Sequence, residues 1–379
     1  MEIKKIIEES FPAYLKLWRD IAAAESPSDC KDGVNRVADL LEDFVAGRGF
    51  KVIRIPCEKA GDLVSIEASG DEGTAAVAFL AHMDTVHPVG SFGFPIPKEE
   101  DGLLRGPGVY DCKGGIITAL MAMEAVMKSE KPHRPMRLLL NSDEESGAWA
   151  GVKAEDFLRE GTRGCAAALN CESGKKDLMT VGRSGVMHAL LKIKGKATHA
   201  GNDYFGGASA IREAAYKIIE LEKHSVKDEM LFNCGVIRGG KKSNIVPDEC
   251  EIDVDIRFFR DNLLDAAKEI LTMVAEKVFV DGTSCEVEIV HVRPAMDRTE
   301  DNLALFDVLK KTAEELGIES PKAITKGGGS DSAYSVQAGV PTVCSLGPYG
   351  GGEHTLDEYV QIDSAKTRAL LLASAVFKI

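Results

Sequence analysis

No stretch of this chain is apolar for long enough to cross a bilayer. The longest runs, such as ALLLASAVF near the C-terminal end, reach about half of the roughly 20 residues a membrane helix needs. The opening MEIKKIIEES alternates its charges and carries no apolar block of signal-peptide length, so a cytoplasmic protein with no membrane partner is expected. Basic residues are in deficit, 46 Lys and Arg against 60 Asp and Glu for a net charge of −14. Nucleic acids and anionic surfaces bind clustered Lys and Arg, so neither is expected as a partner. Paired cysteine spacing is also missing: nine cysteines are scattered with no CxxC, which argues against a disulfide framework and fits reduced, mostly buried thiols. Repeats and low-complexity tracts are lacking as well.

What is present is apolar mass. At 379 residues and 44% hydrophobic, the chain exceeds one small core, so two domains or one domain with an insertion is the expectation. Helical periodicity covers about 2–24 and about 32–46, the second placing Val34, Val37, Leu40, Leu41, Phe44 and Val45 on one face. Buried strand patterns follow at about 51–56, 62–68 and 75–82, then a helix at about 115–128 and a strand at 136–141. Apolar strands separated by helices predict a layered α/β domain with a mixed sheet, whose ligand site lies at the strands' carboxyl ends. After about residue 182 the order becomes βαββαβ, that of the ferredoxin-like split unit. There Ile252, Val254, Ile256 and Phe258 alternate with Glu251, Asp253, Asp255 and Arg257, so one sheet face is wet. The helix and strand alternation resumes near 293. Residues 1–181 and 293–379 are therefore expected to form one discontinuous domain, with 182–292 inserted.

The run AAVAFLAHMDTVHP, residues 75–88, ends in His82 and Asp84. Two apart in an extended segment, they share a face and can meet one metal ion, one substrate, or each other. Other ligand-bearing residues sit at comparable exits: Asp111 in GVYDCKGG, Glu144 and Glu145 in NSDEESG, Glu172 in CESG and His354 in GGEHTLDEY. Histidines and carboxylates gathered at the ends of apolar segments suit two borderline divalent cations. A solvated acidic loop is the bland alternative for Glu144 and Glu145. The loop KGGGSDSAY lacks the Lys-Ser/Thr ending of a phosphate loop; Gly328 and Gly329 are instead expected to let backbone approach a substrate closely.

Taken together and in order, HMDTV, GVYDCKGG, NSDEESG, GKATHAG, SNIVPDECEIDVDIR, GGGSDSAY and GGEHTLDEY resemble the co-catalytic zinc peptidases and deacylases. That family includes glutamate carboxypeptidase, acetylornithine deacetylase, succinyl-diaminopimelate desuccinylase and the tripeptide aminopeptidase, and the likeness is greatest to the glutamate carboxypeptidase branch. The resemblance implies two zinc ions per subunit, with cobalt or manganese as substitutes. His82 and Glu172 would hold one, Glu145 and His354 the other, with Asp111 bridging. Asp84 would fix the His82 tautomer, Glu144 would be the general base, and His199 would reach a dimer partner's site through the inserted domain. It also implies a cis peptide at Asp111–Cys112.

The implied reaction is hydrolysis of an amide by a zinc-bridged hydroxide, releasing a C-terminal amino acid, glutamate being one candidate, from a peptide or N-acyl amino acid. Arg257, on the polar side of its strand, and Asn244 would grip the substrate carboxylate; the bland reading of Arg257 is an ion pair with neighbouring acids. Arg183 is either a substrate contact or a charge at the domain hinge. An acetylornithine-type deacylase is the alternative within the class. A silent binding protein and a thiol hydrolase using Cys112 are alternatives outside it.

Overall fold

The computed structural model describes residues 2–147 and 149–379. They divide into two compact units: the first takes in 1–181, 298–325 and 330–379, the second 182–297 and 326–329.

The first unit opens with α1 (Glu2–Ala23) and α2 (Lys31–Val45). Ile3, Ile7, Phe11, Tyr14, Leu17, Trp18 and Ile21 recur every three or four residues along α1 and are all buried, so its apolar stripe is used in packing. There follow β1 (Lys51–Ile55), β2 (Leu63–Ala68), β3 (Val77–His82), β4 (Lys98–Glu100), β5 (Leu103–Arg105), α3 (Lys113–Lys128), β6 (Met136–Asn141), α4 (Val152–Thr162), β7 (Ala167–Asn170) and β8 (Leu178–Arg183). The second unit is β9 (Gly185–Lys194), α5 (Ala210–Glu222), β10 (Met230–Gly239), β11 (Glu249–Phe258), α6 (Leu264–Glu276) and β12 (Ser284–Arg293). The chain then returns through α7 (Glu300–Glu315), β13 (Lys322–Lys326), α8 (Ser332–Gln337), β14 (Thr342–Val343), β15 (Gly350–Gly351), β16 (Tyr359–Gln361) and α9 (Ser364–Val376).

The main sheet has the order β1-β2-β6-β3-β7-β14. β6, β3, β7 and β14 are parallel, while β2 is antiparallel to β6 and β1 to β2, which makes the sheet mixed as the sequence pattern predicts. Every residue of β3 is buried because both its faces are covered. Val77, Phe79 and Ala81 pack into the core with α1, α3 and α9, and Ala78 and Leu80 into a smaller one with Leu158 and Tyr334. A near-continuous apolar run is what such a doubly covered strand requires. In register, His82 pairs with Asn141 and Leu80 with Asn170, so β3, β6 and β7 finish near one another. A smaller sheet, β15-β16-β5-β4, lies in the same unit.

The second unit is the antiparallel sheet β10-β11-β9-β12, the strand order of the ferredoxin-like βαββαβ. Met187, Ala189, Leu191 and Ile193 of β9 and Ile252, Val254, Ile256 and Phe258 of β11 form its core with α5 and α6. Their alternation with polar residues is the period of two read in the sequence. The helices are joined by buried polar contacts: Lys217 Nζ pairs with Glu213 at 3.0 Å and donates to the carbonyls of Val274, Ala275 and Lys277 at the end of α6. Glu213 in turn accepts from the backbone N–H groups of Phe279 and Val280.

Candidate metal centre

His82, Asp111, Glu144, Glu145, Glu172 and His354 converge at the carboxyl ends of β3, β6 and β7, where a parallel sheet offers its ligand site. His82 Nε2 lies 3.2 Å from Asp111 Oδ1 and 3.8 Å from Glu172 Oε1. His354 Nε2 lies 3.5 Å from the other Asp111 oxygen, Oδ2, and 3.2 Å from Glu145 Oε2. Ligand atoms of His82, Glu144 and Glu172 lie within 4.8 Å of one another, as do those of His82, Asp111 and Glu145. Bonds of about 2.0–2.1 Å to a tetrahedral zinc set its ligand atoms roughly 3.3 Å apart. The donor set, imidazole with carboxylate, and its spacing therefore fit borderline divalent cations.

The supporting contacts explain how the acids are brought so close. Asp84 is fully buried. Its Oδ1 accepts from the Glu144 N–H and its Oδ2 from the Glu145 N–H, both at 3.0 Å, while Ser28 Oγ donates to it at 2.6 Å. His82 Nδ1 faces the Asp84 backbone oxygen at 3.0 Å and Oδ1 at 3.4 Å. Asp84 thus binds the acidic turn as well as the histidine. On the Asp111 side the anchor is Glu358, a residue the sequence reading passed over. Its buried carboxylate accepts from the backbone N–H groups of Gly108, Tyr110 and Asp111 at 2.8–3.0 Å and pairs with His87 Nε2 at 2.9 Å. The Asp111–Cys112 peptide is cis. Gly115 brings α3 against β7: a Cβ there would stand 1.9 Å from the Cys171 carbonyl oxygen, so only glycine admits this approach. His354 adopts a left-handed φ of 62°, a conformation few side-chain-bearing residues hold outside constrained sites.

Gathering carboxylates demands positive charge. Hydrogen bonds to Asp111 and Glu145 push the His354 imidazole up to about 11. Burial lifts the Glu145 carboxyl to about 7. Burial also opposes ionisation of Asp111, yet hydrogen bonds from His354 and His82 outweigh it and hold that carboxyl well below its usual range. Divalent cations supply the same balancing charge. Burial drives the Cys112 thiol far above its ordinary value, which disfavours the thiolate that a cysteine nucleophile needs. All nine cysteines are free thiols, none of them exposed.

The remaining sequence candidates lie in the second unit. His199 is exposed, accepts the Gly201 N–H on Nδ1 and bridges Ile245, while the Ala200 N–H donates to the Asn244 carbonyl; the THAG and SNIVP segments thus run side by side. Arg257 is tied to Asp255 by two bonds of 2.6 and 2.8 Å and donates to the Gly327 carbonyl. Arg183 donates to the carbonyls of Gly328 and Gly329 at 3.3 and 2.9 Å.

Residues 78–378 match the model of peptidase family M20/M25/M40. Carboxypeptidase G2 of Pseudomonas sp. (strain RS-16) is 28% identical over 377 residues, covering 96% of this chain and 89% of that protein. Succinyl-diaminopimelate desuccinylase of Stenotrophomonas maltophilia is 26% identical over 322 residues, covering 80% and 84%. Among solved structures, aminopeptidase PepT from Bacillus cereus superposes with a TM-score of 0.79 at 24% identity, covering 96% of this chain and 97% of that one, a likeness of fold.

Proposed function

The chain belongs to peptidase family M20/M25/M40, a family of amide-bond hydrolases, and from that premise we propose that it is a two-zinc carboxypeptidase releasing a C-terminal amino acid from a peptide or N-acyl amino acid. The observation that carries this reading is the division of Asp111, one oxygen toward His82 and the other toward His354, as a bridging ligand requires. In this reading His82 and Glu172 hold one cation and Glu145 and His354 the other; cobalt or manganese substitutes for zinc. When bound, the cations supply Lewis acidity toward the amide carbonyl and toward water. Glu144 takes the proton of the attacking water and returns it to the departing amine. Asp84 keeps His82 in one tautomer and orientation.

Residues 1–181 and 293–379 carry this chemistry, and 182–292 form the dimerisation domain of a cytoplasmic homodimer, through which His199 stabilises charge on the carbonyl oxygen. Arg257 and Asn244, with backbone at Gly328 and Gly329, receive the substrate carboxylate, for which Arg257 must exchange its bonds to Asp255. Likeness to carboxypeptidase G2 makes C-terminal glutamate the first residue to try. A second reading, an N-acyl amino acid deacylase, is favoured by 26% identity over 332 residues to acetylornithine deacetylase of Myxococcus xanthus.

The test offers zinc-loaded protein a pool of dipeptides and N-acyl amino acids, with a chelated control, and reads the released amines by mass spectrometry. Chelator-sensitive release of a C-terminal residue is expected. Release only of the amine from N-acyl substrates would favour the deacylase, and no release by protein carrying two cations would overturn both.

A further inference from the structure

Asn141 closes β6 and Asn170 closes β7, and neither has a part in the chemistry above. Both make the same pair of bonds. The side-chain oxygen accepts the N–H of the residue two places on, Asp143 at 3.1 Å and Glu172 at 3.2 Å. The amide nitrogen donates to one short segment: Asn141 to both oxygens of Asp331, at 3.1 and 2.9 Å, and Asn170 to Ser332 Oγ at 2.8 Å. All four side chains are buried.

An asparagine amide has a donor end and an acceptor end of nearly the same shape, so a buried one keeps a single orientation only if its partners differ in kind. A carboxylate can only accept. Asp331 therefore takes the amide nitrogen of Asn141 and leaves its oxygen facing the Asp143 N–H, at the start of the turn that carries Glu144 and Glu145. At Asn170 the fixed partner is the other one: the Glu172 N–H can only donate, so it takes the amide oxygen, and the nitrogen is left for Ser332 Oγ, a hydroxyl that can accept it.

We propose that Asp331 and Ser332 are positioning residues for the metal centre, acting through Asn141 on Glu145 and through Asn170 on Glu172. The inference rests on the two-cation reading and adds to it that neighbouring residues of the SDS segment serve different cations. Each cation can then be weakened without the other.

The test titrates metal-free parent, Asn141→Asp, Asn141→Asp with Asp331→Asn, and Ser332→Ala with cobalt, following its d–d absorption and the heat of binding, with thermal melts of the metal-free proteins beside them. Asn141→Asp sets two carboxylates against each other and is expected to weaken one cobalt about 10- to 100-fold while the other changes less than about twofold. Adding Asp331→Asn exchanges donor and acceptor and restores parental binding. Ser332→Ala weakens the other cobalt, and carries the test alone should Asn141→Asp fail to fold. Unchanged binding in both single variants, equal weakening of both cations in each, or no restoration by the paired exchange would overturn the proposal. A parent that takes up no cobalt would instead overturn the metal-centre reading beneath it.

Discussion

Asp84 accepts from Ser28 and from two consecutive backbone N–H groups besides facing His82. An amide in its place would turn an NH₂ group toward one of those donors. Asp84→Asn is therefore expected to lower cation affinity and turnover together, each about 10- to 100-fold, as read by metal titration beside kinetics. Glu144→Gln should separate the two: cation content stays at the parental level while kcat falls about 10²- to 10⁴-fold, the range of a lost general base. Full turnover with both cations in place would remove Glu144 from the mechanism. Residues that face the cluster were legible because histidine and acid at the end of an apolar run are conspicuous. Their anchors were less so. Glu358 reads as one more surface acid in HTLDEY, and its bonds come from residues about 250 positions earlier. Asn141 and Asn170 did leave a trace in LLLNSDEE and AALNCESG, two strand ends with asparagine two residues before an acid. That trace gains meaning only once β6 and β7 are known to flank β3.

At the scale of elements, α3 offers a pH test away from the cluster. Its Glu124 side chain is buried and paired with Arg48 at 3.0 Å and Lys128 at 2.8 Å. Burial opposes its ionisation, but hydrogen bonds from Lys128 and Tyr14 outweigh it and hold the carboxyl below its ordinary value. A depressed carboxyl stabilises the fold fully above its unfolded value, about 4.3, and loses that contribution as pH falls through the folded one. Urea midpoints should thus fall more between pH 6 and pH 3.5 in the parent than in Glu124→Gln; equal falls would exclude Glu124 as a source of acid sensitivity. In the second unit, Lys217→Met leaves buried Glu213 without its cation and the α6 carbonyls without their donor. Breaking a buried pair from one side costs about 3–5 kcal/mol, measurable as a lower unfolding midpoint. The long elements, with steady periods of two or 3.6, were legible to within a few residues. The short strands β4, β5, β15 and β16 were not, since two or three residues cannot display a period and the pairing of β5 with β16 joins segments about 250 residues apart.

For the whole molecule, bound cations are expected to stabilise the first unit by mass action, by about 4 kcal/mol with free cation at roughly 1,000 times its dissociation constant. Dialysis against a chelator should lower the melting temperature, and zinc or cobalt should restore it; an unchanged melting curve would argue that the cluster holds no ion. The mixed architecture and the βαββαβ order were legible as sequences of elements. Which strands adjoin was not, because the order β1-β2-β6-β3-β7-β14 depends on crossovers that no local pattern encodes. That order has a further consequence for how the protein is made. Translation delivers His82, Asp111, Glu145 and Glu172 early, but His354 and Glu358 emerge only after the whole second unit has been synthesised. A ribosome-bound chain halted near residue 340 lacks one histidine and the anchor of Asp111, and is expected to hydrolyse nothing, whatever zinc surrounds it. The cluster thus stays incomplete until the segment that follows the second unit has been made, and a chain halted before it is expected to leave the peptides around it uncut.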